Sequence, residues 1–263
     1  MKGQFTKFDI GSRAFLPIGE PAKPLYDAIR KDETRFSDGV LGFLDYDAQR
    51  GIVGSNPLRN GQINRLMVNS GARVIVPTDD VYRKIFPLIQ GKFYTDFNAL
   101  NVRDKTPSDP AAKSFWENLI NLANSSLKGD AKFPFRLQGF YVEPSEDKRA
   151  QIIPAPNFRI IESDKIDLKT KFNNLDDSGM VNPEDNGRYT QYVNPNLSVS
   201  GVCLYWNGNM GSYYVSLAYS NDNGRAVFLT TEGGSQKKHR KIRKIKKRTD
   251  ITLKMWRNAL SIN

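Results

Sequence analysis

Phe133-Pro-Phe-Arg-Leu-Gln-Gly-Phe-Tyr-Val-Glu143, then Pro144-Ser-Glu-Asp-Lys-Arg149, then Ala150-Gln-Ile-Ile-Pro-Ala-Pro-Asn-Phe-Arg-Ile-Ile-Glu162 are two extended runs joined by a charged break. Aromatic and β-branched residues fill both runs, and the break is short and polar, which is the pattern of an antiparallel strand pair. Proline has no N–H to give to a ladder, so Pro154 and Pro156 make the second strand an edge strand or a broken one. This pair sets the fold class expected for the chain, α+β around a mainly antiparallel, β-rich core, either OB-like or a small sandwich.

Just upstream lies the clearest helix, about Pro110 to Lys128. At 100° per residue, Phe115, Trp116, Leu119, Ile120, Leu122, Ala123 and Leu127 share one arc. Lys113, Glu117, Asn118, Asn121 and Asn124 lie opposite, as in a helix that covers a core. Asp104-Lys-Thr-Pro-Ser-Asp-Pro110 precedes it and is the best break in the chain. We therefore divide the sequence into an N-terminal α+β region (1–105), a helix plus antiparallel β-rich region (106–236), and a C-terminal segment (237–263).

In the first region, Pro21 to Lys31 reads as a short helix with Pro24 in its first turn and Leu25, Ala28 and Ile29 on one face. Val40 to Asp47 reads as a strand that pairs with Gly51-Ile-Val-Gly54. Asn60 to Ser70 reads as a helix carrying Ile63, Leu66 and Met67, Arg73-Val-Ile-Val76 as a strand, and Thr78 as the cap of a helix that Pro87 interrupts or ends. Lys92 to Val102 is extended again. Beyond the hairpin, residues 163–188 are polar and acidic and read as a long loop. A meander is expected next: Leu197 to Trp206, Tyr213 to Tyr219, and Arg225 to Thr231, joined by Asn- and Gly-rich turns that supply positive φ angles.

The charge is concentrated at one place. Lys237-Lys-His-Arg-Lys-Ile-Arg-Lys-Ile-Lys-Lys-Arg248 holds nine of the 39 basic residues, Lys237, Lys238, Arg240, Lys241, Arg243, Lys244, Lys246, Lys247 and Arg248, and no acid. Without it, 30 cations face 28 acids, so the net charge of +11 falls to +2. Such a cluster repels itself unless a polyanion lies alongside. If all nine met single-strand phosphates, the log–log salt slope of binding would be on the order of −6. Phosphate contacts carry little sequence information, so base contacts must come from elsewhere. The aromatic meander is the candidate, with Trp206 and Tyr214 as exposed stacking residues, and Phe140 and Tyr141 as weaker ones. After the basic run, Ile251, Leu253, Met255, Trp256, Ala259, Leu260 and Ile262 share ~200° of a helix, an apolar face that must dock on this protein or on a partner.

The sequence offers little else for chemistry. Its single cysteine, Cys203, lies in an apolar strand-like run and reads as an inert buried thiol. Its single histidine, His239, sits inside the basic run, which leaves no His-based triad or zinc site. No P-loop or dinucleotide fingerprint is present, and no cofactor is expected. Gly42-Phe-Leu-Asp45-Tyr-Asp47 resembles the first metal motif of primase-polymerases, which implies Mg²⁺ held by Asp45 and Asp47. Those enzymes also need a strand-borne His and a further acid, and no strand here carries a His. The same residues also read as a hairpin turn.

The leading expectation is non-catalytic binding of DNA or RNA, single-stranded and weakly sequence-specific. One alternative is a phage or viral structural or assembly protein whose basic segment faces a packaged genome. Another is a Mg-dependent nucleic-acid enzyme using Asp45 and Asp47. No apolar run approaches the ~20 residues of a membrane span, and Met1 to Phe8 lacks a secretory core. The expected setting is intracellular or a virion, with nucleic acid, and a protein partner or a second copy at the terminal helix, as partners.

Overall fold

In the computed structural model, residues 6–9, 13–16, 22–69, 74–75, 94–212, 216–220, 223–226 and 228–230 are described. The strands are β1 (Thr6–Asp9), β2 (Arg13–Leu16), β3 (Asp45–Asp47), β4 (Gly51–Val53), β5 (Val74–Ile75), β6 (Thr95–Val102), β7 (Phe135–Pro144) and β8 (Ala150–Glu162). There follow β9 (Thr170–Leu175), β10 (Val181–Pro183), β11 (Tyr189–Val193), β12 (Val199–Leu204), β13 (Met210–Ser212) and β14 (Phe228–Thr230). The α-helices are α1 (Lys23–Glu33), α2 (Pro57–Asn69), α3 (Pro110–Lys113) and α4 (Trp116–Leu127). The chain is thus α+β, with a large, mostly antiparallel sheet and few helices. Among the described residues, no helix is long and apolar enough to cross a membrane.

Eight strands form the main sheet in the order β10-β9-β11-β13-β12-β6-β7-β8, antiparallel throughout except where β11 runs parallel to β13. A second sheet has the order β1-β2-β14-β5, and β3 pairs with β4 as a hairpin. The β7–β8 pair is as the sequence predicts, and β8 is an edge strand. Its outer side is guarded. Ala150 N–H donates to Asp38 Oδ2 (2.7 Å) and Ile152 N–H to Asn118 Oδ1 (2.8 Å), and the next two alternate positions are Pro154 and Pro156. That combination blunts an edge that would otherwise template another strand. The pair bulges at Gly139 (φ +70°), where a Cβ would fall 2.6 Å from Asn157 O.

One face of β6–β8 carries the main core. Leu100, Val102, Phe135, Leu137, Phe140 and Val142 pack with Phe115, Trp116, Leu119 and Ala123 of the covering helical segment, each fully buried side chain stabilising the fold by about 1.5–3 kcal/mol. The single helix expected over 110–128 is interrupted. Phe115 leaves helical geometry (φ −125°, ψ 8°) and seats its ring in the core, which separates α3 from α4. Asp109 caps α3 through Ala111 N–H (2.8 Å) and also accepts from Leu217 N–H (2.5 Å), which ties 104–110 to the 216–220 segment, and strands on both sides of it, β6 and β7, are neighbours.

Helix α2 lies on β6 and β7 and is buried almost throughout. The apolar Ile63 and Met67 are buried as expected, but so are Arg59, Asn60, Gln62, Asn64 and Arg65. Their hydrogen bonds make this tolerable. Asn56 Oδ1 caps the helix at Arg59 N–H (2.7 Å). Arg59 donates to Leu41 O, Gly42 O, Gln62 Oε1 and Glu33 Oε2, while Arg65 donates to Val142 O and pairs with buried Asp32.

The main sheet curls. Arg136 on β7 donates to Gly179 O between β9 and β10 (3.4 Å). In a flat sheet those positions would be five or six strand spacings apart, at least about 24 Å. The curl is closed from the side by the 3₁₀ turn Asp164–Asp167, whose Asp167 pairs with Arg103. The long polar loop expected over 163–188 is therefore corrected. It contains this turn, β9 and β10, with Ile166, Phe172, Leu175, Met180 and Val181 buried.

Candidate nucleic-acid interface

The nine cations of 237–248, His239, Tyr214 and the apolar helix of 251–262 lie outside the described residues, as do the Thr78-capped helix and Pro87. Trp206 is described. It stands on the turn between β12 and β13 and is 65 % exposed. Local hydrogen bonds hold the turn: Tyr205 N–H donates to Asn209 O (2.8 Å), Gly208 N–H to Tyr205 O (2.9 Å) and Asn209 N–H to Asn207 Oδ1 (3.1 Å). Gly208 takes φ +87°, and a Cβ there would lie 2.5 Å from the ring of Tyr189, so glycine lets the turn seat on that ring. Asn209 Oδ1 accepts from Thr190 N–H (2.8 Å) and fastens the turn to β11.

The rest of the expected meander differs. β12 and β13 pair as a hairpin, but β14 belongs to the other sheet, between β2 and β5. Residues 216–220 form a turn because Leu217 N–H is taken by Asp109 and Tyr219 N–H closes onto Ser216 O (3.1 Å). Leu217 is buried and Tyr219 is half exposed. Phe140 is fully buried in the core and is corrected as a stacking residue; Tyr141 is partly buried.

Exposed residues that the sequence reading missed lie on and next to β9 and β11. On β11, Thr190 and Tyr192 alternate onto one face while Tyr189 and Gln191 are buried on the other, and Arg188 precedes the strand in a bend. Lys171 of β9 lies directly opposite Thr190 and is exposed. Arg188 sits 5.5 Å over the ring of Tyr189, and Tyr192 is 40 % exposed. The alternating Tyr189-Thr-Gln-Tyr192 was the available signal.

The groups with chemical potential are built differently from the sequence expectation. Val40 to Leu44 is irregular around Gly42 (φ +65°), and only Asp45–Asp47 is strand. Asp47 works as a turn former: its Oδ1 accepts from Gln49 N–H and Arg50 N–H (2.8 and 2.6 Å), its Oδ2 meets Arg50 at 3.4 Å, and the two backbone donors hold its pKa below the usual carboxylate range. Asp45 Oδ1 accepts from Tyr46 N–H. Among the described residues, no three His, Cys, Asp or Glu side chains gather as metal ligands would. Cys203 is buried, 3.4 Å from Gly211 O, and burial pushes its thiol up to about 12, which makes it inert. Directly across the ladder, Asp96 is buried with its carboxylate accepting from Ser55 Oγ (2.6 Å) and Tyr94 OH (3.0 Å). Desolvation outweighs both hydroxyl donors and raises its pKa to about 7. No sequence pattern marked that residue. Comparison with protein-family models, with curated proteins and with solved structures finds no match for the chain.

Proposed function

We propose that the chain binds nucleic acid without transforming it, favouring single strands and reading little sequence. The observation that carries this reading is the packing of nine cations into Lys237–Arg248 of a chain that is otherwise almost neutral. The exposure of Trp206 on a hydrogen-bonded turn supports it, because an indole held in solvent offers a face on which an unpaired base stacks for about 1–3 kcal/mol. In this reading the curled sheet serves as an OB-like platform: the edge of a closed-up antiparallel sheet presents aromatics, and a cationic segment tracks the phosphates. Tyr214 completes the aromatic set.

The apolar face of 251–262 favours a second reading, in which the protein assembles with copies of itself or a partner around a packaged genome in a virion. Size-exclusion chromatography without nucleic acid separates the two, since assembly gives a defined oligomer and the first reading gives a species that binds oligonucleotides as it is. The test of the first is a set of fluorescence-anisotropy titrations with single- and double-stranded DNA and RNA at two salt concentrations. Tighter binding of single strands, weakening with salt, is expected; failure to bind any of the four would end the proposal.

A further inference from the structure

We infer that the joint between the main sheet and the segment leading into β14 is a pH-sensitive latch, closed while Asp96 keeps its proton and opened more often once it ionises. Two residues serve both the carboxyl and the segment. Ser55 Oγ donates to Asp96 Oδ2 (2.6 Å), and Ser55 O accepts from Ser220 Oγ (3.1 Å). Tyr94 OH donates to Asp96 Oδ1 (3.0 Å), while Tyr94 forms a parallel bridge with Gly224 and its O accepts from Arg225 N–H (2.9 Å). Gly54 N–H, beside Ser55, donates to Gly224 O (3.1 Å). The groups that hold the buried carboxyl are thus the ones that fasten Ser220, Gly224 and Arg225. Releasing the segment frees Ser55 and Tyr94 and lets water reach the carboxyl. In the chain the joint precedes β14 and β14 precedes the basic run, so the latch sets how firmly the chain is held ahead of its cations, whatever those cations bind.

The surroundings of Asp96 fix the direction of the effect. From β12, Cys203 lies across the ladder, followed by Tyr205, whose ring is 5.7 Å from that of Tyr94. Helix α2 presents the uncharged amide of Asn60, which donates to Asp96 O (2.8 Å). Strand β7 meets β6 at Ala99–Val102, beyond Asp96. The latched segment brings Arg225, whose guanidinium donates to Gly224 O (2.6 Å), and Asp109 holds the same segment at Leu217 N–H. Burial pushes the Cys203 thiol up to about 12, and tyrosine and arginine titrate well above neutrality. With the latch closed Asp96 is only 4 % exposed, so its charged form pays a desolvation cost that the two hydroxyls do not offset, and its pKa rises to about 7. Water solvates the carboxylate in the opened form. The closed form therefore has its full stability below the ordinary carboxyl range and loses it as pH rises towards 7.

The experiment is amide hydrogen exchange of the full chain, read by mass spectrometry at pH 5, 6 and 7 and corrected for intrinsic exchange rates. It compares the parent with Asp96→Asn and Ser220→Ala. In the parent, peptides carrying the Gly54 and Arg225 amides should lose protection by about 50-fold between pH 5 and 7, given a carboxyl pKa of about 7 closed and 3.8 opened. In Asp96→Asn their protection should stay level; this variant keeps Asp109, so the difference isolates Asp96. Ser220→Ala removes one fastening bond without touching the carboxyl. It should lower protection about 5-fold at every pH and leave the pH dependence intact, a result that stands even if Asp96→Asn does not fold. The same pH dependence in the parent and Asp96→Asn would overturn the latch. So would joint peptides no less protected than the β7 core, since opening would then occur only by global unfolding. Unchanged protection in Ser220→Ala would overturn the shared fastening on which the latch depends.

Discussion

Replacing Asp96 by Asn should change how stability depends on pH, with a size that follows from its environment. Its carboxyl is buried, accepts from Ser55 and Tyr94, and has a pKa of about 7 against 3.8 for the free side chain. Below about pH 4 the group is protonated in the folded and unfolded states and adds no pH dependence. Between about pH 4 and 7 the unfolded chain has released the proton and the folded chain has kept it, so stability falls as pH rises, by about 1.4 kcal/mol per unit. Above about pH 7 the loss is complete at about 4 kcal/mol. An amide of the same shape cannot ionise and removes this loss. Urea unfolding at pH 4, 6 and 8 should therefore show Asp96→Asn near the parent at pH 4 and more stable by several kcal/mol at pH 8. A stability difference that stays constant across that range would refute the assignment of a raised pKa to this residue.

The buried polar helix gives a second test. Arg65→Met should destabilise the fold by about 3 kcal/mol in urea unfolding, because it strips buried Asp32 of its closest cation. The loss sits at the low end of the usual range since Arg35 and Gln62 still donate to Asp32. The edge strand gives a third. Pro154→Thr/Pro156→Thr restores two N–H groups on the guarded side of β8 and should raise light scattering with concentration, whereas unchanged scattering would show that the prolines do not protect the edge. Gly139→Ala should cost more than about 1 kcal/mol by thermal unfolding, given its positive φ and the 2.6 Å approach to Asn157 O.

What could be read from the sequence were elements whose packing face has a strong period. The β7–β8 hairpin with its edge prolines, the helical arc from Phe115 to Ala123, and α1 with Leu25 and Ile29 inward all belong to this group. Residues 163–188 escaped because β9 and β10 are short and their apolar side chains are sparse; they are strands because a sheet already stands beside them. Helix α2 was found, but its burial was not. The residue types of Arg59, Gln62 and Arg65 give no sign of burial, and what explains their place inside is the carbonyls of Leu41, Gly42 and Val142 for the arginines and Asp32 with Ile29 O for Gln62. At the candidate site, Trp206 was legible from its Asn-Gly-Asn turn. That Lys171 shares an outer face with Thr190 and Tyr192 was hidden because it depends on the β9–β11 register.

The central claim is that the cations of 237–248 are there for a polyanion. The direct measurement is the salt dependence of oligonucleotide affinity for the full chain and for a variant with all nine of those Lys and Arg residues changed to Gln. The account predicts a log–log slope between about −3 and −6 for the parent and a nearly flat, much weaker binding curve for the variant. An unchanged affinity and slope after neutralisation would contradict it.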